Sequence, residues 1–382
     1  MSADPGKAAC DWLAARRGEM VELLEAAVNI DSGSSHKPGA DRMADLVEPV
    51  LRGAGLATQR HELATHGDCV SAELGGAGPG HVLLLGHMDT VFPAGTAGRR
   101  PFRIEGANAH GPGVADMKAG IVMNVFVARA FASLGLKAPP IHVLCTGDEE
   151  VASPASREIT LAKARGARAV FNAEPGRPTG NVVTGRKGAF FIDFEVEGVA
   201  AHSGVNPYKG ASAIEAISRK VVELHGLNDV DSGVSANVGT IQGGMTVNTV
   251  ADHARAQLDV RYPGTIDRAE LHARILEIVN RHTVKNTHAH VTHEGVFFPL
   301  APSPESLDLL ARYQAAAARF DMKVEGEFTG GSADSGFTAS VGAPTLCATG
   351  PVGGDVHTDR EWLRMDSIVP RAQALALTIL GL

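Results

Sequence analysis

Histidines and carboxylates recur in this chain directly after short apolar runs. His87 and Asp89 follow the run LLLG in LLLGHMDTVFPAGT, Asp148, Glu149 and Glu150 follow HVLCTG, and Glu174 follows VFNA. His357 stands beyond TLCAT after a glycine-rich loop, and Asp116, in GPGVADMKAG, precedes an apolar stretch that begins near Ala119. Singly, each has an ordinary explanation: a lone H-x-D pair suits a satisfied core histidine beside a turn aspartate, and an acidic triplet suits a solvated loop. Together they form a nitrogen and oxygen donor set suited to zinc and, less selectively, to cobalt or manganese. Three ligands serve one cation, whereas five with one shareable carboxylate serve two, held ~3.5–4 Å apart by the bridging acid. Asp116 is the candidate bridge. The adjacent acids Glu149 and Glu150 divide the work, one ligating metal while the other stays free as a general base for water.

Such a set needs a scaffold that brings distant residues together. Helical patterns over 7–28, 40–53 and 119–134 alternate with strands over 81–85 and 141–146, and ARAVFNA and APTLCAT read as further strands. Continuous apolar strands between amphipathic helices predict an α/β fold with a mostly parallel sheet and helices on both faces. Ligands collect at the carboxyl edge of such sheets, which is where the acids and histidines fall. From Ala189 the order changes to strand, helix, strand, strand, helix, strand, from AFFIDFEVEG through SANVGTIQGG and RAQLDVRYPG to AHVTHEG. That is the split β-α-β, ferredoxin-like order of an inserted α+β domain. The expected organisation is therefore a catalytic domain over 1–187, an insertion over 188–299, and the rest of the catalytic domain over 300–382.

The totals narrow the function classes. A chain of 382 residues suits about two domains at ~100–200 residues each. Its 44% hydrophobic and 20% charged residues are a globular balance. The net charge of -8 gives no basic footprint for nucleic acid or an anionic membrane, so neither is an expected partner. Cys10, Cys69, Cys145 and Cys347 lie far apart, which suggests buried thiols rather than a disulfide framework or a metal knuckle. The opening MSADPGKAACDWLAARRGEM has no apolar run after a basic start and reads as a helix of the mature protein. No stretch is expected to reach the ~18 apolar residues of a membrane span. A cytoplasmic enzyme or binding protein is the expectation.

The motifs HMDTV, GPGVADMKAG, GDEE, NAEPG and GPVGGDVHT, in this order around a ferredoxin-like insertion, resemble the dinuclear zinc amidohydrolases. That family includes glutamate carboxypeptidase, acetylornithine deacetylase, aminoacylase and succinyl-diaminopimelate desuccinylase, and the likeness is greatest to the bacterial glutamate carboxypeptidase branch. The resemblance covers essentially the whole chain. It implies two Zn2+ per subunit, with Co2+ or Mn2+ as substitutes: His87, Asp116 and Glu174 around one, and Asp116, Glu150 and His357 around the other. Glu149 becomes the general base, and Asp89 accepts the second ring N–H of His87. The implied reaction is hydrolysis of an amide or peptide bond in a small peptide or N-acyl amino acid. His202, in AAHSGVNPYKGASA, matches a family histidine that donates to the oxyanion, typically across a homodimer formed through the insertion. Asn248, in GGMTVNTV, matches a substrate-contacting asparagine; alone, both residues read as loop positions.

The match breaks at HEGVFFPLAP. Glutamate carboxypeptidases carry an arginine before the proline to clamp a free carboxylate, and here Phe298 precedes Pro299. A substitute is the stretch TGGSADSGF, where backbone N–H groups of Gly330, Gly331 and Ser332 ahead of a helix could form an anion nest. Ala119, where a glycine is common after DMK, is expected to affect packing alone. Carboxypeptidase, N-acyl amino acid amidohydrolase and an amidase with an apolar pocket stay open at this point. A binding or assembly protein that keeps the fold without activity is the alternative of a different class.

Overall fold

The computed structural model describes residues 4–382. They divide into two compact units, one of 4–185, 300–329 and 333–382, the other of 186–299 with 330–332.

The first unit is built on an eight-stranded sheet in the order Ala57–His61, Cys69–Leu74, Ile141–Thr146, His81–His87, Ala167–Asn172, Thr345–Cys347, Val182–Arg186, Gly326–Thr329. Its four middle strands run parallel to one another. Their flanks at Cys69–Leu74 and Val182–Arg186 pair antiparallel, so the sheet is mixed where mostly parallel pairing was expected. Alternation along His81–His87 explains why it reads as a continuous apolar run. Val82 and Leu84 enter the larger core, while Leu83 and Leu85 enter a smaller one on the opposite face.

The larger core centres on Ala119–Leu134, a helix whose residues from Ala119 to Ala128 are all buried. Pro5–Ala14, Arg17–Val28, Lys37–Gly53, Pro304–Ala318 and Ile368–Leu380 also cover this side, and Arg157–Ala164 and Ser335–Ser340 pack on the other. The segment Val114–Leu134 corrects one expectation: it is long and apolar enough to cross a membrane, and most of it is buried inside the protein. A second correction concerns the helix expected over 7–28, which is two helices. Arg16 leaves the helical region at φ -110° and ψ 17°, with its guanidinium 3.9 Å over the Trp12 ring. No proline marks that break, so the apolar period ran through it.

The second unit has the β-α-β-β-α-β order. Its sheet runs Ser235–Gly243, His253–Tyr262, Gly188–Glu197, His288–Phe297, antiparallel throughout. Phe190, Ile192, Phe194 and Val196 alternate inward with Ala254, Ala256, Leu258 and Val260 against helices Ala213–His225 and Arg268–Asn280. Each helix starts on a capping side chain: Ser212 Oγ accepts from Glu215 N at 3.1 Å, and Asp267 accepts from Ala269 N and Glu270 N.

A third sheet, unforeseen in the sequence, belongs to the first unit. Gly353–Gly354, Trp362–Arg364, Asn108–His110 and Arg103–Glu105 pair antiparallel in that order. Strands of two or three residues carry too few alternations to show in a periodicity. This sheet brings the stretch around His357 beside the stretch that leads to Asp116.

Gly120 is where the central helix meets the sheet's carboxyl edge. A Cβ there would stand 1.9 Å from the carbonyl oxygen of Ala173, the residue before Glu174. Gly120→Ala is therefore expected to destabilise the protein by about 1–3 kcal/mol in a urea titration, because backbone rather than a mobile side chain must yield. Unchanged stability would show that the helix end and the Ala173 strand part freely.

Candidate metal centre

Parallel register places the chemistry at one edge. His87 ends its strand opposite Thr146, and Leu85 pairs with Asn172, so the segments carrying Glu149, Glu150 and Glu174 leave the sheet at the same level. Asp116 arrives from the irregular turn Val114–Lys118, whose φ and ψ at Asp116 are -110° and 95°. His357 sits on the loop after Gly353–Gly354 in a left-handed conformation, φ 62°, which a non-glycine residue adopts at some cost.

The donor atoms form two triads that share one acid. His87, Asp116 and Glu174 bring ligand atoms within 4.8 Å of one another, and so do Asp116, Glu150 and His357. His87 Nε2 lies 3.2 Å from Asp116 Oδ1 and 3.8 Å from Glu174 Oε1. His357 Nε2 lies 3.3 Å from Asp116 Oδ2 and 3.2 Å from Glu150 Oε2. One oxygen of Asp116 thus faces each imidazole. Glu149 Oε2 is 3.9 Å from His87 Nε2 and belongs to neither triad.

Asp89 is fully buried and meets His87 twice, by its carbonyl at 3.0 Å from Nδ1 and its carboxylate at 3.5 Å. The carboxylate does more than the sequence suggests. It accepts from Glu149 N and Glu150 N, both at 3.1 Å, and from Ser34 Oγ at 2.6 Å. One acid orients the histidine and holds the backbone of the two glutamates.

Electrostatics fit a cation. Burial pushes the Glu149 carboxyl well above the ordinary range and Glu150 up to about 7. Burial opposes protonation of His87, but Glu149, Asp116, Asp89 and Glu174 outweigh it and raise the imidazole well above its usual value. Hydrogen bonds that the protonated ring donates to the Asp116 and Glu150 carboxylates, against a smaller effect of burial, raise His357 to about 10. Asp116, between both imidazoles, is held low despite its burial. Four buried or nearly buried carboxylates against two imidazoles leave negative charge that only protons or metal can balance. Glu150 Oε1 is buried without a hydrogen-bond partner, the state of an oxygen meant for a cation. Imidazole and carboxylate donors with one shared acid suit two zinc-like ions.

The remaining candidates lie in the second unit. His202 and Asn248 are exposed neighbours: Ser203 N donates to Asn248 O at 3.0 Å, and His202 bridges to Thr249. Phe298 is half-buried beneath Arg268, whose guanidinium carbon stands 3.9 Å over the ring. Around Gly330, Gly331 and Ser332, oxygens accept from two arginines. Arg186 Nη1 donates to the carbonyls of Gly331 and Ser332, Ser332 Oγ donates to Lys187 O, and Arg261 Nη1 donates to Ser332 Oγ. The helix after them, Ser335–Ser340, has six residues and starts on the acid Asp334. A short helix headed by a carboxylate offers an anion little, and of the two arginines here Arg261 is already paired with both carboxylate oxygens of Asp259, at 2.7 and 2.9 Å.

Sequence reading passed over several of these groups. Arg261 lies on a strand whose outward polar residues look like ordinary surface, and Arg186, though buried, ends its strand where a solvated turn charge would be expected. Asp334 and Glu361 are buried acids, 2% and 0% exposed, each in a polar stretch that resembles a loop. Asp334 accepts from Ser153 Oγ and Thr146 Oγ1, and burial raises it to about 7. Glu361, four residues after His357, shared its segment with a candidate ligand, and that spacing was the available signal.

The chain is similar to known proteins along most of its length. The profile of peptidase family M20/M25/M40 matches residues 83–381. Carboxypeptidase G2 of Pseudomonas sp. (strain RS-16) is 26% identical over 369 residues, 94% of this chain and 88% of its own. An acetylornithine deacetylase of Myxococcus xanthus is 29% identical over 296 residues, covering 72% of this chain and 74% of its own. Among solved structures, the M20 family metallo-carboxypeptidase Sso-CP2 of Sulfolobus solfataricus superposes with a TM-score of 0.78 at 16% identity, over 95% of this chain and 99% of its own. That last likeness speaks to the fold, while the profile spans both the acidic edge and the insertion. The chain belongs to peptidase family M20/M25/M40 and is a hydrolase.

Proposed function

We propose that the protein is a dinuclear zinc hydrolase that cleaves an amide or peptide bond next to an amino acid. The observation that carries the reading is the pair of donor triads sharing Asp116 with a buried, proton-hungry Glu149 beside them. His87, Asp116 and Glu174 would hold one ion, and Asp116, Glu150 and His357 the other, with cobalt or manganese as substitutes. Zinc, when bound, lowers the pKa of water towards ~7 and polarises a carbonyl. Glu149 takes the proton of the attacking water and returns it to the leaving nitrogen, a role its raised proton affinity supports. Asp89 keeps Glu149 and Glu150 in place through their backbone N–H groups. His202 donates to the oxyanion and Asn248 to the substrate's polar atoms.

The acid end of the substrate has two candidate receivers. Phe298 offers an apolar face, which favours an amidase pocket, whereas Arg186 and the Arg268 cation over Phe298 favour a free carboxylate. Gly330, Gly331 and Ser332 then act as the platform that aims Arg186 rather than as an anion nest. The enzyme works as a homodimer through the insertion, in the cytoplasm. Exposed Tyr208, Met245 and Val247, at 99%, 86% and 102%, support an apolar contact there.

The decisive assay uses zinc-loaded protein on N-acyl glutamate, N-acyl phenylalanine, an apolar dipeptide and their C-terminal amides, each with a chelator control. Glu149→Gln is expected to lower turnover about 10²–10⁴-fold while bound zinc stays at the wild-type amount. Equal turnover by both proteins would point to a binding protein that keeps the fold. Cleavage confined to free acids would assign the arginines as the clamp, and cleavage of amides as well would assign Phe298 to an amidase pocket.

Protons must compete with metal, because a ligand imidazole has to be neutral and His357 holds its proton up to about 10 in the metal-free protein. Zinc affinity is expected to rise steadily from pH 6 to pH 9, with proton release seen in paired calorimetric titrations in buffers of different ionisation enthalpy. A flat profile would remove the two histidines from the ligand set. For the dimer, sedimentation equilibrium is expected to give twice the monomer mass for wild type and a shift towards monomer for Val247→Asp; a wild-type monomer would reject the contact.

A further inference from the structure

Glu361 lies outside both donor triads, yet its carboxylate is fully buried. Its oxygens collect three backbone N–H groups of one turn: Oε2 accepts from Gly113 N at 2.9 Å, and Oε1 accepts from Ala115 N at 2.9 Å and from Asp116 N at 3.0 Å. Three backbone donors on one carboxylate fix the path of the chain on both sides of the shared acid. Behind the turn, Lys118 is fully buried, donates from Nζ to Ile30 O at 2.8 Å, and lies within the field of Glu361. Glu361 itself is held from outside the turn, because its carbonyl contacts His110 Nδ1 at 3.0 Å and the next residue, Trp362, pairs with His110 in the small sheet.

We propose that Glu361 is a positioning residue for the metal centre: it aims the two oxygens of Asp116 and couples them to His357. This rests on the dinuclear reading above. The segment from His357 to Glu361 supplies a ligand at one end and, at the other, the anchor for the ligand that both triads share. A displacement of the Asp116 turn therefore changes both candidate sites at once, whereas a change at Glu174 or Glu150 alters one.

Glu361→Gln keeps the side chain's volume and tests this. An amide has one acceptor oxygen and turns an NH2 group towards a backbone N–H, so either the Gly113 contact or the Ala115 and Asp116 pair is lost. The full-length variant and wild type are compared by zinc titration, by the visible spectrum of the cobalt(II)-loaded proteins, and by melting with and without zinc. Positioning predicts a zinc affinity lower by about 10–100-fold, an altered cobalt spectrum and a smaller rise in Tm on adding zinc. A purely structural role predicts that Glu361→Gln lowers Tm with and without zinc alike, leaving the zinc-induced rise and the cobalt spectrum as in wild type; that result overturns the proposal and leaves the dinuclear reading standing. Wild type that takes up neither zinc nor cobalt overturns both. Should Glu361→Gln fail to fold, Glu361→Asp, which keeps the charge but retracts it by one methylene, is judged on the same two readouts.

Discussion

The constraint on which the structure turns is charge confined where water is scarce. Asp116, Glu149, Glu150 and Glu174 crowd around His87 and His357, and none is stable there as an isolated anion. The fold answers by giving the acids unlike environments. Asp116 lies between two imidazoles and stays ionised, while Glu149 and Glu150 are raised by burial and keep their protons longer. The same crowding that would destabilise an ordinary core makes the edge a place where a cation lowers the free energy of the whole molecule.

Geometry for this arrangement comes from separate parts of the chain with different rigidity. His87, Glu149 and Glu174 stand at the ends of parallel strands whose register is fixed by apolar side chains on both faces. Asp116 and His357 come from a turn and a loop, where nothing so regular determines position. The short sheet around Asn108–His110 and Trp362–Arg364, with the Glu361 carboxylate, supplies for those two what the main sheet supplies for the other three.

What the sequence revealed follows the same division. Residues at strand ends were legible, because a continuous apolar run followed by an acid or histidine is a local signal, and the order of strands and helices disclosed both units. Asp116 became readable through its motif rather than its spacing. The carboxylate of Asp89 was seen as a partner of His87 but not as the acceptor of the Glu149 and Glu150 N–H groups, since a backbone contact leaves no trace in composition. Glu361 and Asp334 were missed because a buried acid and a solvated loop acid look alike in one dimension. The break at Arg16 was missed because an apolar period continues across it.

The position of the short sheet also bears on the order in which the molecule is made. Its strands Asn108–His110 and Trp362–Arg364 are separated by the whole insertion and by most of the second half of the chain. Pairings so distant form late, after nearer contacts have already lowered the entropy of closing the loop. A chain emerging from the ribosome thus carries His87, Asp116, Glu149, Glu150 and Glu174 before His357 and Glu361 exist. Until that segment emerges, the acids stand without His357 or the Glu361 carboxylate that holds the Asp116 turn, which ties formation of the candidate site to its arrival.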